Sequence, residues 1–283
     1  MGLDAKDNFK HDKSAHPDVL LKIHGELYSI NSRYITNIMR LPKYNTVPDS
    51  MEGILGIATV RDEIVPLLDM RQVFKIPTLA QEYEAFKDML EAREQDHIRW
   101  VNALEESIQN DTKFTLTTDP HRCAFGQWYD KFESDNQMIN FHMRKINEPH
   151  QKLHHAADGV EHCSKDHANC TKEKCVKRVF EEVKEKYMPE VLGLLEEAKE
   201  VFQSAYSEMT VVISNGRQIG IVVDEVLSVA TLERCEEKSD FYLFNHSNYI
   251  CDVKKSKDSD ELVLELDDAM LLGIADEYRK AES

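Results

Sequence analysis

The sequence predicts an α+β protein of more than one domain, in which a bundle of helices interrupts a β domain. Near both ends of the chain, pairs of apolar runs enclose short turn signals, as in β-hairpins. In the middle, residues 81–205 contain only three of the ten glycines, and apolar residues recur there at spacings of three and four, which is typical of amphipathic helices. With 283 residues, 41% of them hydrophobic, the chain is long enough for roughly two domains with cores of their own.

The first β segment contains two predicted hairpins. One is VLLKIHGELYSI, which turns at His24 and Gly25, and the other is GILGIATVRDEIVPLLDM, which turns around Asp62. Between them, residues 32–40 predict a short helix that ends before a proline.

The second β segment begins with the clearest hairpin signal of the chain. MTVVISNGRQIGIVVDEV has Asn215 and Gly216, the strongest two-residue turn, between alternating apolar positions. Two further strands are predicted at 249–253 and 262–266, and a short terminal helix is predicted from near Asp267.

These patterns divide the chain into four segments. We expect a flexible tail at 1–16, the first half of a β domain at 17–80, an inserted helical domain at 81–205 and the second half of the β domain at 206–283. Neither β segment alone offers enough strands for a stable sheet, which favours one β domain split by an insertion. Three small consecutive domains remain the alternative.

Acidic residues outnumber basic ones by 52 to 35, and the resulting formal charge of −17 repels a phosphate backbone. No apolar run approaches the roughly 20 residues of a membrane span, and residues 1–17 lack the apolar stretch of a secretory signal. Six cysteines in a chain of this length do not suggest a disulfide-stapled secreted module. The sequence therefore predicts a cytoplasmic protein with no nucleic-acid partner and no membrane insertion.

Histidine and cysteine are concentrated in the middle segment, which holds eight of the twelve histidines and four of the six cysteines. They are His97, His121, His142, His150, His154, His155, His162, His167, Cys123, Cys163, Cys170 and Cys175. Because zinc takes both imidazole and thiolate ligands in tetrahedral geometry, this composition indicates a zinc site.

His150 and His154 are four residues apart, so on a helix both side chains leave the same face and can reach one ion. Pro149 is tolerated in a first helical turn, which favours a helix that begins at this point with Asn147 as its cap. Taken alone, the pair also fits two solvated surface histidines, which is the commoner arrangement.

Further ligands would have to come from other helices. His97 lies on the core-facing side of its predicted helix, where a core histidine satisfied by one hydrogen bond is the alternative. Cys123 lies in HRCAFGQWYD, where Gly126 allows a tight bend, and the alternative for this cysteine is a small buried hydrophobe. The aromatic residues expected to exclude water from a site at Cys123 are Phe125, Trp128 and Tyr129.

Three motifs in this region resemble the chemoreceptor zinc-binding (CZB) domain. They are DHIRW, RCAFGQWY and HQKLH, in that order. The CZB family has a His on its first helix, a Cys-x-Phe-Gly-x-Trp segment and a His-x-x-x-His pair. The resemblance implies an antiparallel four-helix bundle with Zn²⁺ bound by His97, Cys123, His150 and His154, and it implies homodimers that form through this bundle.

The flanking segments resemble a second family. GILGIATVRDEIVPLLDM and IGIVVDEVLSV look like the two halves of the chemotaxis coupling protein CheW, a pair of small β-barrels with SH3-like folds. The resemblance implies contacts with a CheA-type histidine kinase and with chemoreceptors, the methyl-accepting chemotaxis proteins, at surfaces that include Gly56 and Arg61. The family usually has Gly after that Arg, whereas this chain has Asp62, whose charge would weaken attraction to an acidic partner.

Four ligands of this kind complete the coordination of a tetrahedral zinc and leave no open position for substrate, so we expect no enzyme activity. The sequence and the two resemblances together predict a cytoplasmic adaptor that couples chemoreceptors to a CheA-type kinase under the control of zinc or of an oxidant such as hypochlorite or peroxide. Cys123 would be the redox-sensing residue, because a zinc-bound sulfur is a thiolate, the form that oxidants attack. The alternatives are an adaptor with a purely structural zinc, a zinc-storage protein and a metal enzyme.

A second group of candidate ligands lies in HCSKDHANCTKEKC. It consists of His162, Cys163, His167, Cys170 and Cys175. A second zinc site is one interpretation, and an exposed, lysine-rich helix connection with free thiols is the simpler one.

Overall fold

The computed structural model describes residues 16–134, 136–163, 172–235, 248–256 and 261–281. The chain divides into two compact units, which we call the β unit (Met1–Thr78 with Ser207–Ser283) and the helical unit (Leu79–Tyr206). All but the last residue of the predicted tail lies outside the described residues.

The β unit contains two mixed sheets. The strands are β1 (Asp18–Ile23), β2 (Glu26–Asn31), β3 (Ile35–Arg40), β4 (Ile54–Val60), β5 (Glu63–Asp69), β6 (Met209–Ser214), β7 (Gln218–Val223), β8 (Glu225–Ala230), β9 (Leu232–Arg234), β10 (Ile250–Ser256) and β11 (Leu262–Leu266). One sheet has the order β8-β1-β2-β11-β10-β9 and the other has the order β3-β6-β7-β5-β4. The β2–β11 and β5–β7 pairs are parallel, whereas the other pairs are antiparallel. Each sheet therefore joins strands from before and after the helical unit.

Tight turns connect the strands of the predicted hairpins. The turns are at His24 and Gly25 for β1–β2, at Arg61 and Asp62 for β4–β5, and at Asn215 and Gly216 for β6–β7. Arg61 and Asp62 both have positive φ, 49° and 66°, as in the type I′ turns that match the twist of a hairpin. The three hairpin predictions are confirmed.

The helix predicted at 32–40 is wrong. Only Ser32–Tyr34 forms a 3₁₀ turn, and β3 follows it directly. Ile35, Thr36 and Ile38 are β-branched residues that suit a strand, and β6 supplies the backbone hydrogen bonds that make them one. β8 was not predicted either, and it pairs with β1 at one edge of its sheet.

One apolar cluster joins both sheets of the β unit. It includes Leu21 and Ile30 from the first sheet and Leu68 and Ile221 from the second. In the described part of this unit, two α-helices accompany the sheets, α1 (Met70–Val73) and the terminal α7 (Asp268–Ala281), which buries Leu271 in the same cluster. Among the described residues the strand pairings close neither sheet into a barrel, so the structure shows the two-sheet α+β architecture but not closed barrels.

The helical unit is built on three long helical stretches and one short helix. These are α2 (Leu79–Gln109), α3 (Ala124–Tyr129), α4 (Gln137–Cys163) and α5 (Lys172–Glu182), which continues through a π-helical turn (Val183–Tyr187) into α6 (Met188–Ala205). α6 packs against α2 and α4, and α4 also packs against α5. Their apolar stripes meet in one core, which includes Leu90, Leu104, Phe125, Leu153 and Leu195.

The predicted start of a helix at Asn147 and Pro149 is wrong, because α4 begins ten residues earlier, at Gln137, and runs through both. A proline inside a helix lacks the amide that would bond to the carbonyl one turn earlier. Ile146 and Leu153, both fully buried on the inner face of α4, hold the helix in place on either side of that gap.

No helix in the described part of the chain combines the length and the apolar character that crossing a bilayer requires.

Candidate metal centre

Three helices bring four potential metal ligands to one point of the helical unit. His97 lies on α2, Cys123 directly precedes α3, and His150 and His154 lie on α4. One ring nitrogen of each imidazole and the Cys123 sulfur all lie within 4.8 Å of one another. We call these four side chains the cage. Within the described residues, no other group of three or more His, Cys, Asp or Glu side chains meets in this way.

α2 fixes both the position of the His97 side chain and the ring nitrogen that carries its proton. The side chain lies on the buried face of α2 with Trp100 and Val101 and is only 3% exposed. Its Nδ1 donates a hydrogen bond to the carbonyl oxygen of Arg93, at 2.7 Å. Because a carbonyl oxygen only accepts, the proton lies on Nδ1, and Nε2 keeps a lone pair for a metal.

A close approach between two backbone segments positions Cys123. A Cβ on Gly126 would lie 1.9 Å from the carbonyl oxygen of Pro120, so only glycine fits there. The sulfur caps α3 by accepting a hydrogen bond from the Gly126 amide at 3.2 Å. It also lies 3.3 Å from the Pro120 carbonyl oxygen and 3.3 Å from Nε2 of His150.

α4 contributes two imidazoles, one helical turn apart. The ring centroids of His150 and His154 are 4.7 Å apart, and those rings lie 5.1 and 5.7 Å from the ring of His97. All three histidines are buried, whereas Cys123 is half-buried. The predicted helical spacing thus places both rings of α4 against the ring of α2.

The cage contains buried nitrogens that the protein itself does not satisfy. Nε2 of His97 and both ring nitrogens of His154 make no hydrogen bond of normal geometry among the described residues, although the Thr117 backbone lies close enough to His154 to oppose the fall of its pKa. Each unsatisfied buried polar atom costs about 1–3 kcal/mol, so a native site normally supplies a partner. A metal ion among these closely spaced donor atoms would satisfy them.

The spacing of the donors also fits zinc. With Zn–N distances of about 2.0 Å and Zn–S distances of about 2.3 Å, adjacent ligands of a tetrahedral ion are about 3.3–3.6 Å apart. The Cys123–His150 distance of 3.3 Å is already in that range. The two donor atoms that lie farthest apart, within 4.8 Å of each other, would need to move about 1 Å closer together when zinc binds. In type, number and spacing, the donors fit one tetrahedral zinc ion.

Burial keeps the imidazoles of the cage in the neutral form that binds a metal. Burial lowers the pKa of His97, against a smaller opposing effect of the hydrogen bond to Arg93. Burial, followed by the nearby charge of His97, lowers the pKa of His150 to about 2 and that of His154 to about 4. Burial raises the pKa of the Cys123 thiol. A cation that enters the cage at neutral pH would therefore displace a proton from sulfur and none from the rings.

Aromatic rings cover two sides of the cage. The ring of Phe125 lies 4.9 Å from that of His150, and Tyr129 stacks on Phe125 at 5.3 Å while the tilted ring of Trp128 lies 5.8 Å from Phe125. Of the three aromatic residues predicted to exclude water from a site at Cys123, Phe125 is the one whose ring lies against the cage. Trp100 covers another side, 4.8 Å from the ring of His154, and its indole nitrogen donates to the Thr117 carbonyl. This role of Trp100 was not predicted from the sequence, although its spacing of three residues from His97 was a signal for it.

The second predicted group of ligands falls largely outside the described residues. His167 and Cys170 lie in the segment 164–171, which is not described, and only the helical backbone is described at His162, Cys163 and Cys175.

Comparison with known families agrees with this architecture. Residues 97–160 match the model of the chemoreceptor zinc-binding domain, and residues 19–99 match the model of the CheW-like domain. The chain carries a CheW-like domain and a CZB domain. The CZB match spans all four residues of the cage, and the CheW-like match covers β1 to β5. The second half of the β unit lies beyond the CheW-like match, but its β6 and β7 complete a sheet that the matched segment begins.

Among solved structures, the chain is similar to the scaffolding protein TtCheW from Thermoanaerobacter tengcongensis. The identity is 10% and the TM-score is 0.37, over 89% of this chain and 88% of that one, so the two superpose only loosely. No curated protein matches the chain.

The two partner-binding residues predicted in the CheW-like domain occupy different environments. Gly56 is buried on β4, where a Cβ would lie 2.1 Å from the carbonyl oxygen of Asn45, so the backbone of Asn45 and Thr46 covers it. Arg61 is exposed at the tip of the β4–β5 hairpin and donates a hydrogen bond to Asn37 on β3, at 3.4 Å. Of the two, only Arg61 presents a side chain to solvent.

One exposed apolar residue lies on the same hairpin as Arg61 and was not predicted from the sequence. Ile64 on β5, three residues after Arg61, is 65% exposed. Ile38 on β3 is 40% exposed, but its side chain leaves the opposite face of the strand from the Asn37 side chain that Arg61 contacts. An exposed isoleucine close to an exposed arginine suits a protein-binding surface. The signal in the sequence was an isoleucine directly after the predicted turn.

Proposed function

We propose that this chain is a zinc-binding adaptor of chemotaxis signalling, in which a CZB domain regulates the CheW-like domain into which it is inserted. The observation that carries the proposal is the meeting of His97, Cys123, His150 and His154 in a chain that also matches the CheW-like family. The division into two compact units supports the domain boundaries predicted from the sequence. Both matched families are non-catalytic, and a cage that supplies four ligands leaves no position for substrate.

In finer detail, we propose that α2, α3, α4 and the α5–α6 stretch are the four helices of the CZB bundle. The two sheets of the β unit would be the counterparts of the two SH3-like barrels of CheW. Homodimers through the helical unit and a cytoplasmic location remain predictions from the sequence and the resemblance.

Zinc is the proposed ion because three nitrogens and one sulfur in a closed tetrahedron suit it. When bound, Zn²⁺ would hold the Cys123 sulfur as a thiolate and would tie α2, the start of α3 and α4 together. The chain's own part is to keep the imidazoles neutral and oriented and to exclude water through Phe125 and Trp100.

Metal analysis of the purified full chain tests the cage. We expect one zinc per chain, and X-ray absorption should show four ligands, three nitrogens and one sulfur. His154→Ala should weaken zinc binding by more than about 100-fold, since loss of even an indirect partner of a ligand costs about 10- to 100-fold. His155→Ala, an exposed neighbour on the same helix, is the matched control and should keep the affinity. A coordinated water in place of one ligand would favour a metal enzyme, and two or more zinc ions per chain would favour storage.

For the CheW-like domain, we propose contacts with a CheA-type histidine kinase and with chemoreceptors through the surface around Arg61. The exposed Ile64, on the same hairpin as Arg61, supports this surface, because a few apolar and arginine side chains dominate most interfaces. Gly56 would act indirectly, by letting Asn45 and Thr46 lie close over β4.

Binding of a purified CheA-type kinase, measured by calorimetry, tests this surface. Arg61→Ala should weaken binding by about fivefold or more, which corresponds to about 1 kcal/mol. Arg234→Ala is the control, because Arg234 is an exposed arginine of the same unit that pairs with Asp252. Equal affinities for the two variants would remove Arg61 from the interface.

The proposed input is zinc or an oxidant that acts at Cys123. With peroxide, a sulfur lone pair attacks one oxygen, an S–O bond forms as the O–O bond breaks, and hydroxide leaves. The sulfur is oxidised by two electrons to the sulfenic acid while the peroxide is reduced. The cage then loses its anionic donor, and its hold on zinc weakens.

Mass spectrometry with zinc quantification after peroxide or hypochlorite treatment tests the oxidant version. We expect one oxygen added at Cys123 together with zinc release. If Cys123 stays unmodified and zinc is retained while Cys235 and Cys251 react, the oxidant version is wrong. If, in addition, partner binding is the same with and without a chelator, the zinc is purely structural.

A further inference from the structure

We propose that a cleft beside the cage, which we call the entry cleft, is a weak metal-docking site through which zinc reaches and leaves the cage. The inference rests on the proposed zinc function and deepens it. The entry cleft has a volume of about 300 Å³ and is lined by Asp119, Pro120, His121, Gln151, His155 and Asp158. None of these residues belongs to the cage.

The cage itself needs an entrance, because its histidines are 0–3% exposed. Cys123 is its one half-buried member, and the sulfur lies 3.3 Å from the carbonyl oxygen of Pro120. Pro120 is also part of the wall of the entry cleft. The exposed side of the cage and the entry cleft therefore share the segment just before Cys123.

The second wall of the entry cleft is α4, the helix that carries two ligands of the cage. Gln151 directly follows His150, and His155 directly follows His154. The entry cleft thus runs beside the cage along one helix and one loop. An ion held there would have a short way to go to reach the cage.

His121 in the entry cleft is prepared to bind a metal. Its Nδ1 lies 3.0 and 3.1 Å from the two carboxylate oxygens of Asp130. Because a carboxylate only accepts, Nδ1 carries the proton in this contact, and Nε2 is the ring nitrogen that could bind a metal. A histidine oriented in this way by a carboxylate is the arrangement that surrounds many protein-bound zinc ions.

The remaining groups of the entry cleft suit a cation that stays only briefly. His155 offers a second imidazole, and Asp119 and Asp158 add negative charge that raises the local cation concentration. These donors do not form a closed group like the cage among the described residues. A site that offers only a few ligands binds zinc weakly. A transit site requires weak binding, because a site that bound zinc tightly would trap the ion.

Zinc exchange kinetics of the full chain, with the double variant His121→Gln/His155→Gln, tests the proposal. A transit site lowers the barrier in both directions and cannot change the equilibrium. Zinc uptake from a chromophoric zinc–chelator complex and zinc removal by excess chelator, both followed by stopped-flow absorbance, should therefore slow by the same factor, about tenfold. The dissociation constant and the final content of one zinc per chain should not change.

The matched control is His16→Gln, which removes an exposed histidine from the other unit and should leave both rates unchanged. Unchanged rates in the double variant would overturn the proposal. A weaker equilibrium affinity at an unchanged uptake rate would also overturn it, because the two histidines would then support the cage itself. Failure of the unaltered chain to bind zinc would instead overturn the proposed function, so the two failures are distinguishable.

Discussion

At the scale of single residues, Gly126 decides where the sulfur of the cage lies. The backbone at Gly126 and that of Pro120 approach so closely that no Cβ fits between them. The sulfur of Cys123 is held by contacts to these same two residues. The geometry of one ligand is therefore set by the absence of a side chain three residues away.

We predict that Gly126→Ala destabilises the helical unit by about 1–3 kcal/mol, the usual cost of an extra methyl group in a packed site, and weakens zinc binding as Cys123 moves. Gly193→Ala is the control: Gly193 lies within α6, and a Cβ there would meet no atom within 4 Å. This control should stabilise the protein by about 0.5–1 kcal/mol, because alanine favours a helix over glycine. Denaturant unfolding measures both changes, and equal effects of the two substitutions would contradict the role given to Gly126.

At the scale of elements, a buried ion pair holds α1, the residue after β7 and the β1–β2 turn together. Arg71, the second residue of α1, donates through Nε and Nη2 to the two carboxylate oxygens of Asp224, at 2.7 and 2.6 Å. Asp224 also accepts from the amide of His24, and Arg71 donates to the carbonyl oxygen of Pro77, close to the point where the chain leaves the β unit. The pair thus connects three segments that are far apart in the sequence.

We predict that Arg71→Met destabilises the β unit by about 3–5 kcal/mol, because the Asp224 carboxylate is then left buried without its charge partner. Arg234→Met should change the stability by about 0–1 kcal/mol, since that arginine is 60% exposed and a surface ion pair contributes little. Calorimetry of the full chain separates the two outcomes. A shift for Arg71→Met no larger than that for Arg234→Met would show that the pair is not needed.

The secondary-structure elements also show which parts of the fold could be predicted from the sequence alone. The hairpins at His24, Asp62 and Asn215 were predictable because a turn depends on a few adjacent residues. The error at 32–40 arose because β6, more than 160 residues later, provides the pairing that makes β3 a strand. For the cage, residue spacing predicted only that His150 and His154 share a helix face. That His97 and Cys123 join them came from the CZB resemblance, because local periodicity does not predict which helices contact each other.

At the scale of the whole molecule, the β unit and the helical unit each have a large apolar core of their own. All four residues of the cage lie in the helical unit. Zinc should therefore stabilise one unit and leave the other almost unaffected.

We predict two thermal transitions for the zinc-loaded chain, of which only one shifts downward when a chelator removes the metal. The shift should be large, because a structural zinc contributes about 10–16 kcal/mol in small peptides, which is comparable to the stability of a whole domain. Differential scanning calorimetry with and without chelator measures it, and the variant His154→Ala should reproduce the metal-free profile of the unaltered chain. A parallel shift of both transitions would mean that the units do not unfold independently.

The parallel pairing of β2 with β11 joins residues near 28 to residues near 264. During synthesis on the ribosome, β1 and β2 must wait for almost the entire polypeptide before their six-stranded sheet has its full set of neighbours, whereas all residues of the helical unit emerge earlier. The helical unit, with all four residues of the cage, is thus complete while the six-stranded sheet still lacks β8 to β11, and the slow, long-range pairing of that sheet comes last.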